Sequence, residues 1–407
     1  MNYRIGLDIG SQSIRAAIAS TERDGTMTLT TLLKSPSAGV RRGTIDNQAQ
    51  TTQALSTIIA QSKAISRSSV KSIVASIGSP DLRVQYSKGV VAVSRADDEI
   101  YQDDIARVLQ SARALSLPAN RMIIDTIIKE YLVDGIAGIS DPLGMVGKRL
   151  EVTMLVIDAF SPSAKNISRC VETLGGQVGR LVVGPLAAAE AVLSKEQKEL
   201  GVLLIDIGFG TTKMAIYEEN RLVHVAVIPV GSSNITNDLA IGLRIPIEVA
   251  ETIKLTYGSA LAKEVSARDA VELSKIDPRA KGTVTKKFIA EIIEDRLAEI
   301  FELVNNEVKR VGRASQLPGG VILIGGGAKM PNIAELARME LKLSAQIGVP
   351  SLGAMTSLSS ELSLQAEDPE FATAIGLLRG DAADEHCGEL SPRMHNTLKK
   401  ILNYFIP

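Results

Sequence analysis

The sequence predicts an α/β protein of two related lobes that close on a shared anion, and three observations carry that prediction. The first is an internal repeat: Ile5-Gly-Leu-Asp-Ile-Gly-Ser-Gln-Ser13 recurs as Leu203-Leu-Ile-Asp-Ile-Gly-Phe-Gly-Thr211, so one supersecondary unit is used twice. The second is a later glycine run, Gly325, Gly326 and Gly327, placed directly after the buried-type strand Val321-Ile-Leu-Ile324 and before a helix. The third is length, because 407 residues exceed what one hydrophobic core usually serves.

Each copy of the repeat reads as an apolar strand ending in an acidic residue, a glycine turn bearing hydroxyls, and a second strand. Asp8, Gly10 and Ser13 align with Asp206, Gly208 and Thr211, and Ala17-Ile18 aligns with Ala215-Ile216. Glycine lets backbone N–H groups come close to anionic oxygens, and the Ser and Thr hydroxyls add donors. Asp8 and Asp206 would repel a phosphate unless a hydrated Mg²⁺ stood between them. The expected ligand is a magnesium polyphosphate gripped from two sides. A single Asp-x-Gly turn after a strand is common; its duplication gives the signal its weight.

Composition excludes several classes. A 45% hydrophobic and 22% charged chain of formal net charge -1 carries no block of basic residues, so nucleic acid is not an expected partner. Cys170 and Cys387 lack the companions of a disulfide framework or metal cluster, which fits a reducing compartment. The N-terminus runs straight into a strand with no signal-peptide pattern, and no run of about 18 apolar residues occurs. The expectation is a cytosolic protein.

In this order and at these separations, the two hairpins and the later glycine run resemble the signature of the actin, sugar-kinase and Hsp70 superfamily. The resemblance implies an actin-like/Hsp70-ATPase two-lobe fold of duplicated RNase H-like cores, with ATP between the lobes. It implies a first phosphate loop of Asp8, Gly10, Ser11, Gln12 and Ser13, and a second of Asp206, Gly208, Gly210, Thr211 and Thr212. Adenosine would lie at Gly325, Gly326 and Gly327, and Mg²⁺ would be held through water at Asp8 and Asp206.

The stretch from Tyr131 to Glu151 contains Val133-Asp-Gly135, Asp141-Pro-Leu-Gly-Met145 and Arg149-Leu-Glu151. At these spacings it resembles the FtsA family of bacterial cell-division proteins. The likeness continues through Ile77-Gly-Ser79, Lys88 to Ala92, Val230 to Ala240 and Ala250 to Ala260. Departures from the family pattern are Ser232 in place of a second glycine, and Pro80 and Leu155 in place of histidines.

The FtsA resemblance implies a lobe 1 core, 1A, from residues 1–82, 161–184 and 355–378, carrying an inserted 1C subdomain at 83–160. The lobe 2 core, 2A, would take 185–230 and 311–354, and subdomain 2B would take 231–310. Within the insertion, the residue pattern itself gives a strand at Val90 to Val93, an amphipathic helix from Gln102 to Leu115 and a strand at Leu150 to Ile157. Glu251 and Lys254 match the family's ribose and adenine contacts, although their spacing alone reads as a solvated ion pair.

Function follows from the same resemblance. It implies an ATP-binding protein that polymerises on the cytoplasmic membrane, tethers FtsZ filaments and recruits later divisome proteins through 1C. The FtsZ C-terminal peptide would bind 2B, where Lys286, Lys287 and Arg296 are candidates to meet its acidic groups. Hydrolysis is expected to be weak. In hydrolysing relatives such as Hsp70 and MreB a Glu commonly precedes the Pro of the first connecting helix, and here Gly184 precedes Pro185. Losing a water-orienting group costs about 10²- to 10⁴-fold. Asp206 and Gln12 are the remaining candidates for that role.

The end of the chain reads as an acidic linker, residues 379–391, followed by an amphipathic helix, residues 392–407. Met394, Leu398, Ile401, Leu402 and Phe405 fall within roughly a 100° arc, with Arg393, Lys399 and Lys400 outside it. From Arg393 to Ile406, at about 1.5 Å per residue, the helix spans roughly 21 Å, too short for a hydrocarbon core of about 30 Å. It is expected to lie flat on the inner face of the membrane and bind reversibly, with several subunits of a filament giving durable attachment. A PilM-like scaffold for type IV pilus assembly is the rival reading; it shares the fold without such a tail.

Overall fold

The apolar strands of the repeat organise two sheets of one design. The computed structural model describes residues 2–278, 282–314 and 316–380. In the first lobe, Asn2–Ile9, Ser13–Thr21 and Met27–Pro36 form an antiparallel meander. Ile73–Ile77 and Val178–Val183 extend it in parallel on the other side of Asn2–Ile9. The second lobe repeats the plan with Val202–Ile207, Thr212–Glu218 and Arg221–Ile228, extended by Val321–Ile324 and Ala345–Ile347. Val202–Ile207 is buried at every position, which is why it is apolar throughout except at Asp206 rather than alternating.

The two hairpins agree in register. Gly6 stands opposite Ala17 as Leu204 stands opposite Ala215, and Asp8 opposite Arg15 as Asp206 opposite Lys213. The late strand Thr356–Ser357 returns to the first sheet beside Met27–Pro36.

Helices Gly184–Val192 and Ala372–Arg379 pack against each other where the lobes meet. A Cβ added at Gly376 would lie 1.8 Å from the Ala187 carbonyl oxygen, so only glycine allows this approach. Through Ala188 and Ala189 one core runs from Ile5 and Leu7 of the first sheet to Leu204 and Ile322 of the second. A second core, around Ile205, Leu297 and Phe301, lies between the second sheet and the helices beyond it.

The insertion is a four-stranded sheet in the order Arg83–Ala92, Arg149–Phe160, Arg121–Val133, Ile136–Ile139. Helix Gln102–Arg113 covers it over a core that includes Val108, Leu150 and Met154. The expected helix therefore stops two residues short of Leu115; the strand expected at Val90 to Val93 starts earlier, at Arg83, and ends at Ala92, leaving Val93 outside, and that expected at Leu150 to Ile157 extends at both ends. Strand Arg149–Phe160 also leaves the insertion: Leu155 and Ile157 join the central core, and the chain passes directly into helix Ser161–Thr173.

Beyond the second sheet lie helices Ser232–Leu243, Ile247–Tyr257 and Lys286–Arg310. No helix among the described residues is long and apolar enough to cross a membrane. Most of the acidic linker and all of the expected amphipathic helix, with Arg393, Met394, Leu398, Lys399, Lys400, Ile401, Leu402 and Phe405, lie outside the described residues.

Candidate functional site

Both hairpin turns open into one cleft between the lobes. Each turn is closed by the same bond: Gly10 N–H donates to Ser13 O at 3.1 Å, and Gly208 N–H to Thr211 O at 2.9 Å. A Cβ on Gly210 would meet Ser11 Oγ at 2.9 Å, so the turns nearly touch and any larger residue would hold them apart. Asp8, Gly10, Ser11, Gln12 and Ser13 line the cleft from one side, and Asp206, Gly208, Gly210 and Thr211 from the other.

Both carboxylates are almost fully buried, each at 6% exposure. Ser76 Oγ donates to Asp8 Oδ1 at 2.6 Å, and Arg15 Nη1 lies 3.6 Å from Asp8 Oδ2. Lys213 Nζ donates to Asp206 Oδ2 at 3.2 Å. Burial disfavours the Lys213 ammonium, but the charges of Asp206 and Asp8 outweigh it and raise the pKa. Lys213 stays charged.

The hydroxyls of Ser13 and Ser79 are buried on the cleft wall, and among the described residues neither has a hydrogen-bond partner. Buried hydroxyls are normally satisfied; two on one cleft wall are available to acceptor oxygens of a ligand.

The third glycine element borders the same space. Gly325 has φ +84° and packs so tightly that an added Cβ would lie 2.3 Å from Asp206 Oδ1, while Gly326 faces Glu370 across the cleft. Gly327 is pressed against Ile207 instead. Glu370 takes hydrogen bonds from Lys34 at 2.6 Å and Arg15 at 2.8 Å, and pairs with Lys329 at 3.0 Å. Burial alone would raise its pKa; Lys34, Arg15 and Lys329 prevail and hold it at about 2.

Three expected contacts sit differently. Thr212 is buried and donates to Val230 O at 2.9 Å, because consecutive strand residues point to opposite faces and Thr211 takes the cleft side. Lys254 is not a solvated partner of Glu251: it is 4% exposed, donates to Glu251 at 2.6 Å and to Thr236 at 2.8 Å, and sits over the Phe209 ring. Glu251 reaches the cleft edge through Gln12, which donates to it at 3.4 Å across the lobes. On the far subdomain Arg296 grips Asp238 in a two-pronged pair at 2.6 and 3.0 Å and also pairs with Glu299.

The sequence reading assigned no site role to Arg15, Lys213, Ser76, Ser79 or Glu370, although Ser79 stood in the motif Ile77-Gly-Ser79. Arg15 and Lys213 carried a signal, since each stands at the same place in its copy of the repeat. Asp8 and Asp206 are suitable donors for a hydrated Mg²⁺, but each already faces a cation across its own hairpin. No group of three or more His, Cys, Asp or Glu placed to hold a metal ion occurs among the described residues.

Solved structures with this arrangement include a PilM–PilN type IV pilus biogenesis complex, 18% identical with a TM-score of 0.64 over 93% of this chain and 98% of that one. Another is MreB5 of Spiroplasma citri bound to AMPPNP, 14% identical with a TM-score of 0.56 over 100% and 99%. Such identities show fold alone, and they define the class: an actin-like protein of two lobes around a cleft. The family model for the cell division protein FtsA matches residues 203–376, and the model for the SHS2 domain inserted in FtsA matches residues 80–158. The chain is 34% identical to the FtsA of Pseudomonas aeruginosa over 92% of this chain and 88% of that one, and 34% identical to the FtsA of Bacillus subtilis over 92% and 82%. It belongs to the FtsA family of actin-like cell-division proteins. The PilM likeness is one of fold, so the pilus-scaffold reading is not favoured.

Proposed function

We propose that this protein binds ATP in the interlobe cleft, polymerises on the inner face of the cytoplasmic membrane at the division site, and tethers FtsZ filaments there. The observation that carries the nucleotide reading is the pair of unpartnered hydroxyls, Ser13 and Ser79, beside two glycine turns that face each other. The glycine element at Gly325 and Gly326 would take the adenosine, with Glu251 at the cleft edge. Hydrolysis is slow in this reading, because Gly184 offers no side chain to orient water and a Cβ there would lie 3.7 Å from Lys213 Nζ.

Membrane attachment rests on the basic amphipathic pattern of residues 392–407, and later division proteins would dock on the insertion. For the FtsZ peptide, Lys286 and Lys287 are the candidate contacts; Arg296 is already committed to Asp238.

The test uses purified full-length protein, anionic vesicles and FtsZ. ATP binding and co-sedimentation of FtsZ with the vesicles only when this protein is present are expected. Deletion of Arg393 to Pro407 should abolish vesicle sedimentation and leave ATP binding intact. Unchanged sedimentation would remove the membrane anchor from the reading, and absence of ATP binding would remove the nucleotide.

A further inference from the structure

The two hairpins share more than their turns. Arg15 and Lys213 occupy the same register position, each directly across the strand pair from the hairpin's acidic residue. Both side chains are 13% exposed and both line the cleft. Strand pairing fixes their Cα positions beside the two carboxylates.

Lys213 is further confined by the opposite lobe. Its stem lies over Gly78, where an added Cβ would meet Cε at 2.7 Å, and its Nζ sits 3.4 Å from that same point. A side chain at Gly78 would push the ammonium away, so glycine there keeps Lys213 in the cleft. Arg15 is steadied by Glu370, which takes its Nε at 3.2 Å and its Nη2 at 2.8 Å.

The cleft thus holds Asp8 and Asp206 beside two built-in cations, while its third carboxylate, Glu370, is also engaged by Lys34 and Lys329. A divalent ion bound at Asp8 and Asp206 would have to sit beside both positive charges, and like charges at short range in a partly buried site oppose each other. A polyphosphate meets the reverse situation, because Arg15 and Lys213 stand where its negative charge would otherwise face bare carboxylates. An Arg guanidinium and a Lys ammonium are both established phosphate partners.

We propose that Arg15 and Lys213 replace the divalent cation, so that the cleft binds nucleoside triphosphate without requiring Mg²⁺. This rests on the nucleotide reading given above, and it assigns Lys213 as the residue that sets the metal requirement.

The test is equilibrium binding of a fluorescent ATP analogue to the full chain, in excess EDTA and in millimolar Mg²⁺. The wild-type dissociation constants in the two buffers should agree within fivefold. Lys213→Met, which keeps the stem and removes the charge, should bind more than tenfold more weakly in EDTA and recover when Mg²⁺ is added. A wild-type loss larger than fivefold in EDTA overturns the proposal, and so does a Lys213→Met protein that binds in EDTA like the wild type. Arg15→Met, measured the same way, serves if Lys213→Met does not fold, and the wild-type comparison needs no variant. Binding in Mg²⁺ alone leaves the nucleotide reading standing and sinks only this inference; binding in neither buffer sinks both.

Discussion

Ser13 is worth more to a ligand than to the fold. Its hydroxyl is buried without a partner among the described residues, so Ser13→Ala removes an unsatisfied group and should leave the unfolding free energy within about 0.5 kcal/mol of wild type. The same variant loses a donor to phosphate, about 1 kcal/mol, or roughly fivefold in ATP affinity by titration. Unchanged affinity would show that the hydroxyl does not face the ligand. Glu370 behaves in the opposite way. Its pKa is depressed from 4.5 to about 2 by three cations, so its contribution is fully present above about pH 4.5 and is lost as pH falls toward 2. Glu370→Gln should unfold more easily at pH 7, by up to about 3 kcal/mol, and the gap to wild type should close in acid. Urea titrations across that range check the sign; a gap that widens in acid would contradict it.

At the scale of elements, the glycine strand-turns show how far pattern reading extends. A hairpin keeps its acid, glycine and hydroxyls within a few residues, so its chemistry is visible in sequence, and so was the insertion with its own apolar periodicity. Thr212 was read as a ligand because composition does not say which face a strand residue takes; its bond to Val230 settles that. Arg15 meets Glu370 across 355 positions of chain, and no spacing rule carries such a contact. Arg296 read as a candidate contact for the partner peptide for the same reason, since its partner Asp238 lies on another helix. Gly325 belongs to the legible class and makes a sharp test. At φ +84°, with an added Cβ 2.3 Å from Asp206 Oδ1, Gly325→Ala should cost about 2 kcal/mol or more. Thermal unfolding reads the loss, and ATP affinity should fall with it because Asp206 must move.

Across the whole molecule, the contact of helices Gly184–Val192 and Ala372–Arg379 holds the two lobes to one core. Ala is the better helix former than Gly by about 1 kcal/mol, but a Cβ at Gly376 would overlap the Ala187 carbonyl. Overpacking of about 1–3 kcal/mol should dominate, and Gly376→Ala should lower the melting temperature; a stabilised variant would mean that the helices do not touch there. Strand Arg149–Phe160 has a consequence of its own. It is hydrogen-bonded along its length on both sides within the insertion sheet, and it continues into the helix that places Ser163 and Ile167 on the cleft wall. Asp81 clamps the junction, accepting from Phe160 N–H at 2.6 Å and Ser163 Oγ at 3.4 Å. One unbroken run of backbone thus joins the insertion sheet to the cleft wall, so a load placed on the insertion would reach Ser163 and Ile167 without crossing a loop.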